Sequence, residues 1–234
     1  VLMGWLKRLS RRMFGGNPLH EAAGAGRRSF AWLPSNPGAV AAMTATQTEL
    51  RTKSRDLVRR NAWANAALES YVANAIGTGI KPQSLVADPP LRERIQALWR
   101  DWTLDADAAG LTDFYGLQAL ACRAMLEGGE ALVRIRYRRK EDGLAVALQL
   151  QVLEPEHLPV TLNTTAENGN VIRAGIEFDR LGRRVAYHLY RTHPEDGALA
   201  PMSGIGGMET VRVAASEILH MFRPLRPGQI RGEP

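Results

Sequence analysis

A chain of 234 residues with 45% hydrophobic content can bury the core of one large domain or two small ones, and its composition is that of a globular protein rather than a disordered one. The single cysteine, Cys122, excludes an intramolecular disulfide, and no apolar run approaches the length needed to cross a bilayer. The net charge of +6 is concentrated: residues 1–60 carry eleven Lys or Arg against three acids, whereas the remainder carries nineteen against twenty-one. This asymmetry suits an arm that meets a polyanion or an acidic protein face, or a solvated tail.

Residues 1–14 set Leu2, Trp5, Leu6, Leu9 and Met13 against Lys7, Arg8, Arg11 and Arg12, the pattern of a short basic amphipathic helix. The apolar start is followed by charges instead of preceded by them, unlike a secretory signal, so a chain soluble in the cytoplasm before any assembly is expected. A stretch rich in glycine, proline and alanine follows, with Arg27 and Arg28 inside it, and residues 1–43 are read as a basic, flexible arm and linker.

Residues 44–129 read as helical. Leu50, Leu57, Trp63, Leu68, Tyr71, Val72, Ala75 and Ile76 recur at three- and four-residue steps, with Arg51, Lys53, Arg55, Arg59 and Arg60 between them, which predicts one buried stripe. Asn61 can cap a second helix, and Gly77, Gly79 and Pro82 stop the run near Ile76. Asp88, Pro89 and Pro90 then open a helix carrying Leu91, Ile95, Leu98, Trp99 and Trp102. A further helix starts at Thr112 or Asp113 and ends at Gly128 and Gly129, with Cys122 as an inert thiol on its apolar face.

From Glu130 the period changes to two. Residues 130–153 predict a hairpin turning at Glu141, Asp142 and Gly143, and a second hairpin runs Val171–Phe178, turns at Asp179–Gly182 and returns through Val185–Tyr190. Val211–Val213 and Ile218–Phe222 offer short closing strands, which makes residues 130–222 a hairpin-rich part. Residues 223–234, with three prolines and two glycines, form no regular element. The predicted class is α+β, N-terminal helices packed on a mostly antiparallel sheet.

No GxxxxGK[ST] loop, HExxH, SxxK or paired-cysteine pattern occurs, so no catalytic residue, cofactor site or metal site is predicted. Glu154, Glu156 and His157 come nearest to a cluster, but their place between Pro155 and Pro159 suits a turn. Arg134, Arg136 and Arg138 share one strand face, read as a solvated outer face or a subunit contact. Partner contacts, if basic, fall on Lys7, Arg8, Arg11, Arg12, Arg27, Arg28, Arg51, Lys53, Arg55, Arg59 and Arg60.

Three stretches carry a resemblance. The Asn-Ala-Trp-Ala run at 61–64 leading to Val-Ala-Asn-Ala-Ile-Gly-Thr-Gly-Ile-Lys-Pro at 72–82, the Glu-Gly-Gly-Glu at 127–130 and the closing His220–Pro234 segment resemble, in order and spacing, lambda-type portal proteins of tailed bacteriophages. With the Leu153–Glu156 turn the resemblance covers about residues 45–234, and its motif residues are Gly77, Gly79, Pro82, Gly129, Glu130, Pro155, Arg223, Pro224, Pro227, Gly228, Arg231, Gly232 and Pro234. It implies a non-enzymatic subunit of a ring, typically a dodecamer, at a capsid vertex in the virion. Implied partners are copies of itself, the terminase, capsid or scaffold and head-completion proteins, and double-stranded DNA in the channel, with no cofactor and no membrane. It also implies a wing-like region without channel-lining stem helices, residues 223–234 leading toward that portion. A truncated chain or prophage remnant, monomeric or loosely associated alone, is the corresponding expectation. The alternative is a basic nucleic-acid-binding module using residues 1–60.

Overall fold

Helix starts earlier than composition suggests. The computed structural model describes residues 37–194 and 209–234, and within it α1 runs Ala39–Arg60, with Met43 wholly buried, so the linker reading fails from residue 39 onward. Asn61 divides the run. Its extended backbone and its side-chain oxygen, which accepts from the Trp63 and Ala64 N–H groups at 2.9 and 3.3 Å, start α2 (Ala62–Ala75) as a separate helix. Gly77, at φ +56°, follows its end.

Pro89 and Pro90 open α3 (Pro89–Leu104), although Asp88 makes no side-chain cap bond there. Asp113 caps α4 (Phe114–Gly128), accepting from the Gly116 N–H at 2.7 Å, and buries Leu117, Ala121 and Cys122. Burial pushes the Cys122 thiol pKa up, which makes it a poor nucleophile at neutral pH.

Two antiparallel sheets follow. The first has the order β2-β1-β8, from β1 (Glu130–Tyr137), β2 (Leu148–Leu153) and β8 (Ile218–Phe222). The first hairpin is as predicted, except that β2 begins at Leu148 and Leu144 and Val146 lie outside it. The second sheet has the order β3-β4-β5-β6-β7, from β3 (Thr164–Thr165), β4 (Val171–Arg173), β5 (Ile176–Phe178), β6 (Arg184–Tyr190) and β7 (Thr210–Ala214). Val171–Phe178 is therefore not one strand. It folds back at Ala174 and Gly175, both at positive φ (+47° and +79°), and a meander replaces the predicted hairpin.

Alternation along β1 sorts the layers. Leu132 points into a core shared with Leu158, Ile176, Tyr187, Leu189, Val213 and Ile218, which packs the two sheets face to face. On the other face of the first sheet, Trp102, Ala106 and Leu117 pack with Trp99, Phe114 and the β2 side chains Leu148, Leu150 and Val152. The Trp99, Trp102 and Phe114 rings lie 4.9–5.2 Å apart, and the Trp102 indole N–H donates to the Leu148 carbonyl at 2.8 Å. The result is helices over a three-stranded sheet over a five-stranded sheet, in the predicted α+β class.

The predicted apolar stripe is only partly buried. Val72 is inside, but Leu50, Leu57, Trp63 and Tyr71 are exposed, Trp63 by 86%. The inward face of α1 is instead Met43, Gln47 and Arg51, spaced by four residues. Arg55, one turn on, continues it.

Candidate functional site

That polar face of α1 ends on Glu130, the first residue of β1, whose side chain is fully buried. One carboxylate oxygen accepts from Gln47 Nε2 at 2.9 Å and from Arg51 at 3.1 Å. The other accepts from His220 Nε2 and the Gly232 backbone N–H, both at 2.9 Å. Arg231 forks onto both oxygens, its Nε at 2.8 and 2.9 Å. A buried charge this well paired satisfies the carboxylate's acceptor capacity with donors from α1, β8 and the tail at once.

Arg231 is equally occupied. It is wholly buried, and the donors that do not reach Glu130 go to the carbonyls of Leu158 (3.1 Å), Ala174 (3.0 Å) and Pro155 (3.2 Å). One guanidinium therefore ties the irregular tail to β1, to the one-turn 3-10 helix Pro155–His157 and the residue after it, and to the β4–β5 turn. Arg51 donates its Nε to the Gly128 carbonyl at 3.0 Å, which satisfies the end of α4.

Around this node the backbone is packed too closely for side chains. Gly129 closes α4 in the left-handed conformation (φ +84°), and a Cβ there would sit 2.4 Å from the Glu233 carbonyl carbon. A Cβ on Gly232 would sit 2.0 Å from the Gly129 carbonyl oxygen. The two glycines face each other so that the tail can lie against the α4–β1 junction.

The charges extend outward and balance. Glu156 takes both Arg55 amino groups at 2.7 and 3.0 Å and lies 3.5 Å from Arg51, while Arg55 reaches Glu154 at 3.5 Å. Glu130, Glu154 and Glu156 thus meet Arg51, Arg55 and Arg231. Burial opposes ionisation of Glu130, but Arg231 and the His220 hydrogen bond outweigh it and hold the carboxyl well below the usual carboxylate range. Burial also lowers the His220 pKa, against the pull of Glu130, so the neutral ring donates Nε2–H to the carboxylate.

Both shifts have the same sign for stability. A depressed Glu130 contributes stability that is present above its unfolded value near 4.5 and lost as pH falls, and His220 binds a proton more readily unfolded, near 6.5, than folded. The free energy of unfolding is expected to be flat above about pH 7, to decline below 6.5 and to steepen below 4.5. Urea titrations across that range check this. In His220→Gln the decline between 6.5 and 4.5 should be shallower.

The predicted contact residues divide. Lys7, Arg8, Arg11, Arg12, Arg27 and Arg28 lie outside the described residues. Arg51 is a buried structural ion, not an available contact, and Arg55 is committed to Glu156. Lys53, Arg55, Arg59 and Arg60 do share a groove of about 810 Å³, but Asp56, Glu127 and Glu156 line it too. Lys53 pairs with Glu49 at 2.6 Å, and Arg59 and Arg60 pair with Asp56 at 2.7 and 2.8 Å, which blunts any phosphate-following stripe.

The motif residues converge more than the basic ones. Gly129, Glu130, Pro155, Arg231 and Gly232 meet at the node, and Gly79 lies against the Tyr115 ring of α4. Arg223, Pro224, Pro227 and Gly228 sit in an exposed turn where the Gln229 side chain accepts from the Leu225 N–H at 2.7 Å; Pro82 and Pro234 are exposed as well. Glu154, Glu156 and His157 form the expected turn, and His193, which the sequence places in a loop, joins Glu154 at 3.2 Å. These ligand-type atoms could meet a cation, but Arg55 already occupies the Glu156 carboxylate.

Gln47 and His220 are not legible in the sequence as site residues, and Arg51 reads there as a partner contact, not as the buried partner of Glu130. Nor is Glu177 legible, buried on β5, where Arg212 at 2.7 Å, Asn170 at 2.7 Å and Asn168 at 3.1 Å hold its carboxyl far below the usual range. The four-residue spacing of Met43, Gln47, Arg51 and Arg55 was the available signal.

Helices layered on two antiparallel sheets, locked by a buried ionic node with its motif glycines, define an α+β structural domain, and no described helix is long and apolar enough to cross a membrane. The chain belongs to the phage portal protein, lambda family, which it matches over residues 25–234. It is similar to a probable portal protein of Halomonas phage phiHAP-1, 32% identical over 193 residues, covering 78% of this chain and 36% of that protein. The chain thus spans about a third of the length of this relative.

Proposed function

We propose that this chain forms the wing-like wall of a portal ring at the capsid vertex, where it acts by shape and association and carries out no covalent chemistry. In this reading the ring nucleates head assembly, docks the terminase, receives head-completion proteins and passes double-stranded DNA during packaging and ejection. Family membership supports the portal assignment. The observation that carries side-by-side association is apolar surface on both flanks of α4: Leu57, Trp63 and Tyr71 on α1 and α2, and Leu91, Ile95 and Leu98 on α3. A ring needs two different faces that complement each other, and exposed apolar side chains are what such faces cover.

Sedimentation velocity tests this. The chain is expected to associate weakly and reversibly with rising concentration, and Trp63→Glu should weaken that association about tenfold. Because Trp63 is 86% exposed, its replacement should leave the melting temperature unchanged. Association indifferent to Trp63→Glu and to Leu98→Glu would contradict the proposal.

A further inference from the structure

The face of β1 that carries Leu132 into the inter-sheet core changes character after two residues. Arg134 and Arg136 follow on the same face, and with Arg191 at the end of β6 they line a cleft of about 350 Å³ between the sheets, walled by Leu153, Leu189 and Val211. The solvated outer face expected for these arginines is therefore wrong, because the second sheet lies over them.

The cleft is lined by positive charge. Arg136 donates to Gln151 at 3.2 Å, but Arg134, Arg136 and Arg191 form no ion pair among the described residues, and the buried Arg134 Nε has no hydrogen-bond partner. Burial and the neighbouring Arg136 both lower the Arg134 pKa, and Glu217 opposes this only in part. Two like charges on one strand face, partly desolvated, cost stability that an anion would return.

From the guanidinium forks at one end and the aliphatic walls at the other, we infer that this cleft receives a glutamate-type side chain, a carboxylate on an apolar stem, from another polypeptide. Guanidiniums grip a carboxylate bidentately, while Leu153, Leu189 and Val211 sheathe the methylenes. At about 350 Å³ the cleft admits a side chain and excludes a duplex backbone. Nucleic acid would also want a run of stacked aromatic platforms, and among the described residues the cleft offers the Tyr190 ring and the His157 imidazole alone. This inference is independent of the ring proposal, since it concerns ligand chemistry at one cleft.

Glutarate is the probe, titrated into the whole chain at constant low ionic strength and followed through the arginine Nε–H resonances. Saturable binding is expected, weakened about tenfold or more in Arg134→Gln. Arg191→Gln, at an exposed position, should weaken it as well and keeps the test open if Arg134→Gln misfolds. Without ligand, Arg134→Gln should melt no lower than the parent, because it removes a like-charge contact. No saturable binding beyond that of chloride, or binding untouched by either variant, would overturn the inference. Phosphate bound as tightly as glutarate would reduce the cleft to a bare anion site, and a single-stranded oligonucleotide displacing glutarate would make it a nucleic-acid site; both outcomes refute it.

Discussion

Glu130→Ala is expected to lower the free energy of unfolding by about 3–5 kcal/mol, the loss characteristic of removing one partner from a buried ion pair. The size follows from what remains. Arg231 keeps its three carbonyl acceptors but loses its counter-charge in a site with no solvent access, Arg51 keeps the Gly128 carbonyl but has only Glu156 at 3.5 Å as a counter-charge, and the Gly232 N–H and His220 Nε2–H lose their acceptor. Urea denaturation followed by tryptophan fluorescence measures it. A loss under about 1 kcal/mol would mean that the node is a consequence of the packing and does not hold it.

The second large effect is steric. Gly129→Ala forces a left-handed L-residue and drives its Cβ to within 2.4 Å of the Glu233 and Pro234 backbone, and Gly232→Ala drives its Cβ to 2.0 Å from the Gly129 carbonyl oxygen. Neither obstacle is a flexible side chain, so the tail must move. Each substitution is expected to cost about 2–4 kcal/mol from strain and overpacking. The more specific readout is proteolysis, because Arg231 is inaccessible while it bonds Glu130. Trypsin should cut after Arg231 far faster in either variant than in the parent, with cleavage after the exposed Arg180, in the turn between β5 and β6, changed little. Gly143→Ala, where a new Cβ meets nothing within 4 Å, serves as the control for the backbone conformation alone.

What could be read from the residues was local. The Asn61 and Asp113 caps, the stop at Gly129, and the hairpin from Glu130 to Leu153 depend on chemistry within a few positions, and they stand where the pattern put them. The inward face of α1 could not be read by hydrophobicity, because beyond Met43 it is buried through Gln47 and Arg51 rather than through apolar side chains. Their partner, Glu130, is 79 residues from Arg51 and 101 from Arg231. The turn at Ala174 was missed for a similar reason. An alanine at φ +47° is held by the Asn163 side chain, which accepts from its N–H at 3.0 Å, and by Arg231, which donates to its carbonyl, and neither contact has a local signature.

The node also gives the motifs a physical reason. Three stretches spread over the chain carry the family resemblance, and residues from two of them, with Pro155 from the intervening turn, meet around one carboxylate. Gly129 and Gly232 are glycine so that the backbones can touch, and Glu130 and Arg231 are ionic so that the touching segments stay joined.

A double-mutant cycle between Glu130→Gln and Arg231→Met tests that junction most directly. If these side chains hold the tail to the sheet through each other, the double variant should be less destabilised than the sum of the singles, by more than about 1 kcal/mol. Losses that simply add, to within about 0.5 kcal/mol, would show that the two charges act independently and that something else joins the layers.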